Sequence, residues 1–143
     1  MIRLTDLSEI VCTPDVPTAD ILAGLNSSPY LFFCVVENDG KLLGTITDGD
    51  IRRAILDGAT LDDPASHCMH RDAVFGLRGA YRENELRLRS VPFLPILDKA
   101  GRLAEVLIPT PAGPGLRVAL VMAGGFGKRL GERTQNTPKP LLP

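Results

Sequence analysis

The chain has 143 residues, 44% hydrophobic and 23% charged, with a formal net charge of -1 at pH 7. That balance suits a globular chain with room for a real core, and a charge sum near zero gives no general attraction to nucleic acid or to an anionic membrane surface. The longest apolar runs are about six residues, against roughly 18 for a membrane helix, and Asp6 and Glu9 interrupt any signal-peptide core, so a cytoplasmic location is expected. Cys12, Cys34 and Cys68 form no C-x-x-C pair, which points to reduced, packed thiols. His67, Cys68 and His70 are the one metal-like grouping; crowded into one short segment they do not close a four-ligand shell, and no metal site is expected there.

Past a lead-in, Thr18 is a capping residue for a short helix whose apolar face is Ile21, Leu22 and Leu25, and the run Asn26 to Pro29 ends it. Tyr30 to Val36 is aromatic and β-branched enough for a buried strand, with Tyr30, Phe32 and Phe33 read as core. Asn38-Asp39-Gly40 is a hairpin turn, and Lys41 to Thr47 returns as the partner strand. Asp48-Gly49-Asp50 opens a second helix whose Ile51, Ala54 and Ile55 share a face, with Gly58 as its stop. The unit is helix, strand, strand, helix.

A shift of 61 residues lays Gly40-Lys41-Leu42 over Gly101-Arg102-Leu103, Val35-Val36 over Ile96-Leu97, and Leu25 over Leu86. Two copies, each too small to bury its sheet alone, are expected to pack sheet to sheet as one pseudo-symmetric domain. The arginines between Arg71 and Arg89 are interrupted by Glu83 and Glu85 and read as a solvated face, with Arg71 as an option for lining the cleft.

The first repeat resembles a cystathionine-β-synthase (CBS) domain, and residues 1 to about 109 resemble the usual tandem pair. The family's nucleotide motif, G-h-h-T-x-x-D with h apolar, is met by Gly44, Thr47 and Asp50, with Thr45 at the first apolar place. Glycine lets a ligand lie on the strand end, the Thr hydroxyl can bond a phosphate, and a carboxylate at a helix start can accept from both hydroxyls of a ribose. Thr-x-x-Asp is also what a helix N-terminus looks like for structural reasons alone. Arg52 and Arg53 follow directly, within reach of a phosphate or free as solvated helix charge. Shifting the motif by 61 residues puts Glu105, Ile108 and Pro111 at its three places, so at most one nucleotide per chain is expected. The resemblance implies an AMP- or ATP-like regulatory ligand and a homodimer; a pair serving only as a dimerisation module is the competing reading.

Pro109 to Gly115 holds three prolines and two glycines, a linker composition. Beyond it, Val118 to Ala123 is a short buried-strand run that stops at Gly124-Gly125-Phe126-Gly127-Lys128-Arg129-Leu130, a phosphate-binding pattern. A Walker loop would need glycine at 122 and Ser or Thr at 129, which are Met and Arg; a Rossmann loop would need glycine where Leu130 stands. Ala123 to Leu130, Thr134 and Pro138-Lys139-Pro140 instead resemble the A-G-G-x-G-x-R-L, Thr and P-K-P signature of the sugar-nucleotide pyrophosphorylases. Glu132-Arg133 stand where many members carry Pro-Leu, which leaves sugar and base open.

This second resemblance implies amides of Ala123, Gly124, Gly125, Gly127 and Lys128 around a nucleoside triphosphate, Arg129 on the departing pyrophosphate, and Lys139 near the phosphates of the reacting pair. It implies Mg-dependent joining of a sugar 1-phosphate to the triphosphate. In that family the metal aspartate and sugar pocket lie beyond the signature, so residues 1–143 alone are expected to be inactive. The expected architecture is α/β (α+β): a tandem CBS pair of two βαββα-like repeats packed sheet to sheet (1–60 and 61–109), a linker (110–116), and the opening strand and Gly-rich loop of a Rossmann-like nucleotidyltransferase domain (117–143).

Overall fold

A computed structural model of the chain describes residues 1–110. The linker from Pro111 onward and the whole pyrophosphorylase-like signature, including Gly124, Gly125, Gly127, Lys128, Arg129 and Lys139, lie outside the described residues. Among the described residues eleven elements follow one another: β1 (Ile2–Leu4), β2 (Val11–Cys12), α1 (Thr18–Ser27), β3 (Phe32–Val36), β4 (Leu42–Thr47), α2 (Asp48–Leu56), α3 (Ala65–Cys68), β5 (Gly76–Leu77), α4 (Tyr81–Leu88), β6 (Leu94–Leu97) and β7 (Leu103–Ile108). They build two sheets, β2-β3-β4 and β1-β7-β6-β5. None of these helices is long and apolar enough to cross a membrane.

The expected hairpins are both present, in the 61-residue register. Cys34 pairs Thr45 and Val35 pairs Gly44, with an irregularity before Val36; Pro95 pairs Val106 and Ile96 pairs Glu105, with the same irregularity before Leu97. Gly40 (φ +86°) and Gly101 (φ +79°) are the left-handed residues of the two turns, a conformation that costs glycine nothing. The turns meet: Lys41 bridges Arg102, Leu42 N–H donates to Gly101 O and Leu103 N–H to Gly40 O. At the other end of β3, opposite Thr47, Phe32 stacks on its repeat mate Phe93 at 3.9 Å and 8°. Such a pair contributes about 0.5–1.5 kcal/mol beyond its buried area.

The inter-sheet core holds Ile10, Phe32, Cys34 and Val106, with Leu4, Leu42 and Leu103 packed on it. On the other face of the first sheet, Ile21, Leu25, Val35, Ile46 and Ile51 meet Ala65, Cys68 and Met69. The second sheet has a smaller outer cluster of Leu88, Leu94, Ile96 and Leu107. Cys12, Cys34 and Cys68 are free and buried, as packed thiols.

The edges of the sheets are exchanged between repeats. β1, which begins the first repeat, pairs antiparallel with β7 of the second through Leu4 and Val106. His70, which leads into the second repeat, bridges Thr45 on β4 of the first, with reciprocal bonds of 3.1 and 2.8 Å. Each hairpin therefore satisfies its free edge with the other repeat's lead-in, and an unpaired buried edge is costly.

Three expectations are corrected. Thr18 is the first residue of α1 rather than its cap: Pro17 holds that position, and the first amides donate outward, Thr18 N–H to Asp63 O and Ala19 N–H to Leu61 O, while the Thr18 hydroxyl donates to Asp63 O at 2.7 Å. Leu25 does not correspond to Leu86, which is exposed; buried Leu25 and Ile21 correspond to buried Leu88 and Asn84, because α4 begins 63 residues after α1 (Tyr81 against Thr18) while the hairpins keep the shift of 61. On α2 only Ile51 is buried and Ala54 half-buried, whereas Ile55 is 43% exposed.

Candidate functional site

The junction of β4 and α2 brings together Thr47, Asp50 and Arg53. Thr47 is the N-cap of α2, in extended backbone (φ -123°, ψ 168°), and closes a capping box with Asp50. Thr47 N–H donates to Asp50 Oδ2 at 2.8 Å, and the Thr47 hydroxyl donates to the same oxygen at 2.6 Å while accepting from the Asp50 N–H. A charged side chain in that first turn also meets the positive end of the helix dipole. The other oxygen, Oδ1, accepts from the Arg53 guanidinium at 2.6 Å. Asp50 is 11% exposed and Arg53 70% exposed in this pair.

Arg52 points elsewhere. It pairs with Asp48 at 2.7 Å across one turn, both side chains open to solvent, so the two neighbouring arginines of the sequence part company in space. Arg71 is exposed and donates to Ser66 O at 3.2 Å.

Gly44 is buried, and a Cβ built on it would stand 2.6 Å from His70 O and 3.3 Å from Met69 Sδ. The close approach of the His70 backbone, locked by its bridge to Thr45, is enough to require glycine there. Met69 and His70 thus neighbour the motif, which the sequence did not announce: it marked His70 only within a metal-like grouping, whereas what His70 offers the strand is its backbone. Three shallow depressions among the described residues lie elsewhere: beside the first turn (Asp15, Glu37, Asp39), beside the second (Arg78, Lys99, Arg102), and over Arg3, Tyr81 and Leu107.

At the second repeat the same places are chemically different. Glu105 occupies the register position of Gly44 and is paired with Arg3 at 3.1 Å, and Ile108 faces Ile2 in the β1–β7 ladder. Pro111 lies outside the described residues.

Residues 4–57 match the family model described as "CBS domain". A curated protein of Chlamydia muridarum is 39% identical over 98 residues, a match covering 61% of this chain and 28% of that protein. The chain thus spans little more than a quarter of that relative's length. Among solved structures, a CBS domain protein from Streptococcus pneumoniae has a TM-score of 0.65 at 18% identity, with 75% of this chain and 76% of that one covered. CBSX2 in complex with AMP, a CBS-pair protein known from Arabidopsis thaliana, has a TM-score of 0.62 at 20% identity, covering 73% of this chain and 85% of that one. The cytosolic domain of the Mg2+ channel MgtE in complex with ATP has a TM-score of 0.59 at 18% identity, covering 73% and 44%. By these likenesses the described residues have the fold of a CBS pair.

Proposed function

We propose that residues 1–110 are a nucleotide-sensing regulatory module whose ligand is an adenine nucleotide, AMP- or ATP-like, and whose first-repeat motif makes the decisive contacts. The observation that carries this reading is the Asp50 carboxylate, which Thr47 fixes at a strand–helix junction through Oδ2, leaving Oδ1 on the side of the mostly exposed Arg53 as the oxygen that a ribose hydroxyl would reach. The first-turn amides of α2 beside it favour a negatively charged group. Two structures of the same fold, CBSX2 and the MgtE cytosolic domain, are complexes with AMP and ATP. Thermal unfolding with and without AMP tests the reading. Ligand at about 100 times its dissociation constant stabilises the folded chain by roughly 2.7 kcal/mol through mass action. Asp50→Ala is expected to abolish that shift while costing the unliganded fold only about 1 kcal/mol, the worth of a helix cap; an undiminished shift in that variant would refute it.

We further propose that the module serves a sugar-1-phosphate nucleotidyltransferase, on the strength of the signature over Ala123 to Pro140. In that reaction a sugar 1-phosphate oxygen attacks the α-phosphorus of a nucleoside triphosphate; the new P–O bond forms as the bond to pyrophosphate breaks. Magnesium would supply charge neutralisation from ligands outside this sequence. The roles left to this chain are cradling by the loop amides and charge stabilisation by Arg129 and Lys139.

The second reading, a dimerisation module, is favoured by a different observation. Leu56 on α2 is 81% exposed, and Tyr81 and Leu86 on α4 are 69% and 57% exposed, an apolar content that a helix surface commonly covers with a partner. An isologous homodimer is expected by light scattering, with Leu56→Glu shifting it toward monomer; a monomer at high micromolar concentration would count against it.

A further inference from the structure

We propose that Arg53 is a built-in occupant of the ribose-binding carboxylate, and that it makes the site selective for phosphorylated nucleosides over nucleosides. The inference rests on the reading of Thr47 and Asp50 as a ribose clamp. Both oxygens of Asp50 are engaged: Oδ2 by the Thr47 amide and hydroxyl, and Oδ1 by Arg53 at 2.6 Å. The Thr47 bonds belong to the capping box and persist as long as α2 does. Only Arg53 can yield, because its side chain is mostly solvent-exposed. Its nearer neighbour in sequence, Arg52, is already bound to Asp48 and does not compete for Asp50.

A ribose hydroxyl that donates to Oδ1 therefore has to displace a guanidinium. Adenosine gives the displaced cation nothing in return. A nucleotide carries its phosphate into the field of the same first turn, where the freed guanidinium finds a bidentate acceptor in place of the carboxylate it lost. Gly49 keeps this exchange unobstructed: a Cβ there would stand 3.5 Å from the guanidinium, in ordinary contact, and the glycine leaves that space open. The arginine thus penalises a ligand without phosphate and rewards one that has it.

Isothermal calorimetry of the full chain and of Arg53→Gln, each titrated with AMP and with adenosine, tests this. In the native chain AMP should bind at least about tenfold more tightly than adenosine, the scale of one charge-assisted hydrogen bond. In Arg53→Gln adenosine should bind more tightly than it does to the native chain, by roughly two- to fivefold, the scale of an exposed ion pair removed, while AMP weakens. The ratio of the two affinities then falls, to whatever preference the first-turn amides of α2 supply by themselves. A ratio that stays at its native value in Arg53→Gln overturns the role of Arg53 and leaves the nucleotide reading standing. Absence of binding by both ligands to the native chain and to the variant overturns the nucleotide reading itself, and this inference with it. Arg53 is a surface residue of a helix end, so the variant is expected to fold; unchanged circular dichroism checks it.

Discussion

A thiol packed among apolar side chains is inert only while it stays neutral, and two of the three cysteines sit under that constraint. Burial pushes the Cys12 thiol up from an ordinary value of 9.0 to about 12, helped by the neighbouring Cys68 and Asp15, and burial pushes Cys34 equally far. A folded-state pKa raised above the unfolded value means that the contribution to stability is complete below about pH 9 and is lost as the pH rises toward 12. Below that window the thiols are protonated in both states; within it the unfolded chain releases protons that the native chain holds. The stability from urea titrations should therefore be flat in its thiol contribution up to about pH 9 and decline above it. The decline should be shallower in the Cys12→Ala, Cys34→Ala double variant; an identical slope in both proteins would show that other groups govern the alkaline limb. The candidate-site residues differ from these core groups in how legible their local geometry is. Thr47, Asp50 and Arg53 could be chosen from sequence because their spacing is a local property of a helix start. Asn84 could not: its buried amide donates to Leu77 O and accepts from Leu77 N–H, a bond set across the turn between β5 and α4 that only the fold brings together.

Elements set by local periodicity and turn chemistry were legible, and those set by long-range pairing were not. The aromatic and β-branched content of β3, the turn signal ending at Gly40 and the 61-residue repeat place both hairpins, while the shared irregularity before Val36 and Leu97 is a feature of the fold that no residue pattern announced. β1 and the His70 segment have no such signal; three residues and one bridge take their strand character from the edge they cover. The helix register differs from that of the hairpins by two residues, 63 against 61, and nothing in the apolar pattern marks that later start of α4. The exchanged edge makes Gly44 a test of element packing. Gly44→Ala would drive a methyl to within 2.6 Å of the His70 carbonyl, and backbone on both sides has to move. A destabilisation of about 1–3 kcal/mol is expected, as for other overpacked sites, with loss of amide protection at Thr45 and His70. Gly49→Ala is the contrast: the added methyl meets Arg53 at ordinary contact distance, and removing glycine from a helix stabilises it by up to about 1 kcal/mol. Urea midpoints moving the same way for both variants would contradict the packing described for β4.

On the scale of the whole molecule, the internal repeat gives the proposed nucleotide site a counterpart in the second repeat, and the chemistry there is different. The 61-residue register holds across the hairpins, so Glu105 stands in the place of Gly44 by strand pairing and not merely by alignment. Three properties are lost there together. The clear strand end is replaced by a carboxylate, which Arg3 holds at 3.1 Å and which repels an incoming phosphate; the hydroxyl of Thr47 is replaced by the alkyl chain of Ile108, built into the ladder against Ile2; and the Asp50 place falls at Pro111 in the sequence. Arg3 does not rescue the site, since its charge is already spent on Glu105. Calorimetric titration of the chain with AMP is therefore expected to give one site per chain, and still one per chain if two copies associate. The Asp50→Ala variant should bind none. Glu105→Gln removes the repelling charge but restores neither hydroxyl nor carboxylate, so the stoichiometry should stay at one; a second equivalent site in the native chain, or a site that survives Asp50→Ala, would show that the ligand is read by residues other than the first repeat's motif.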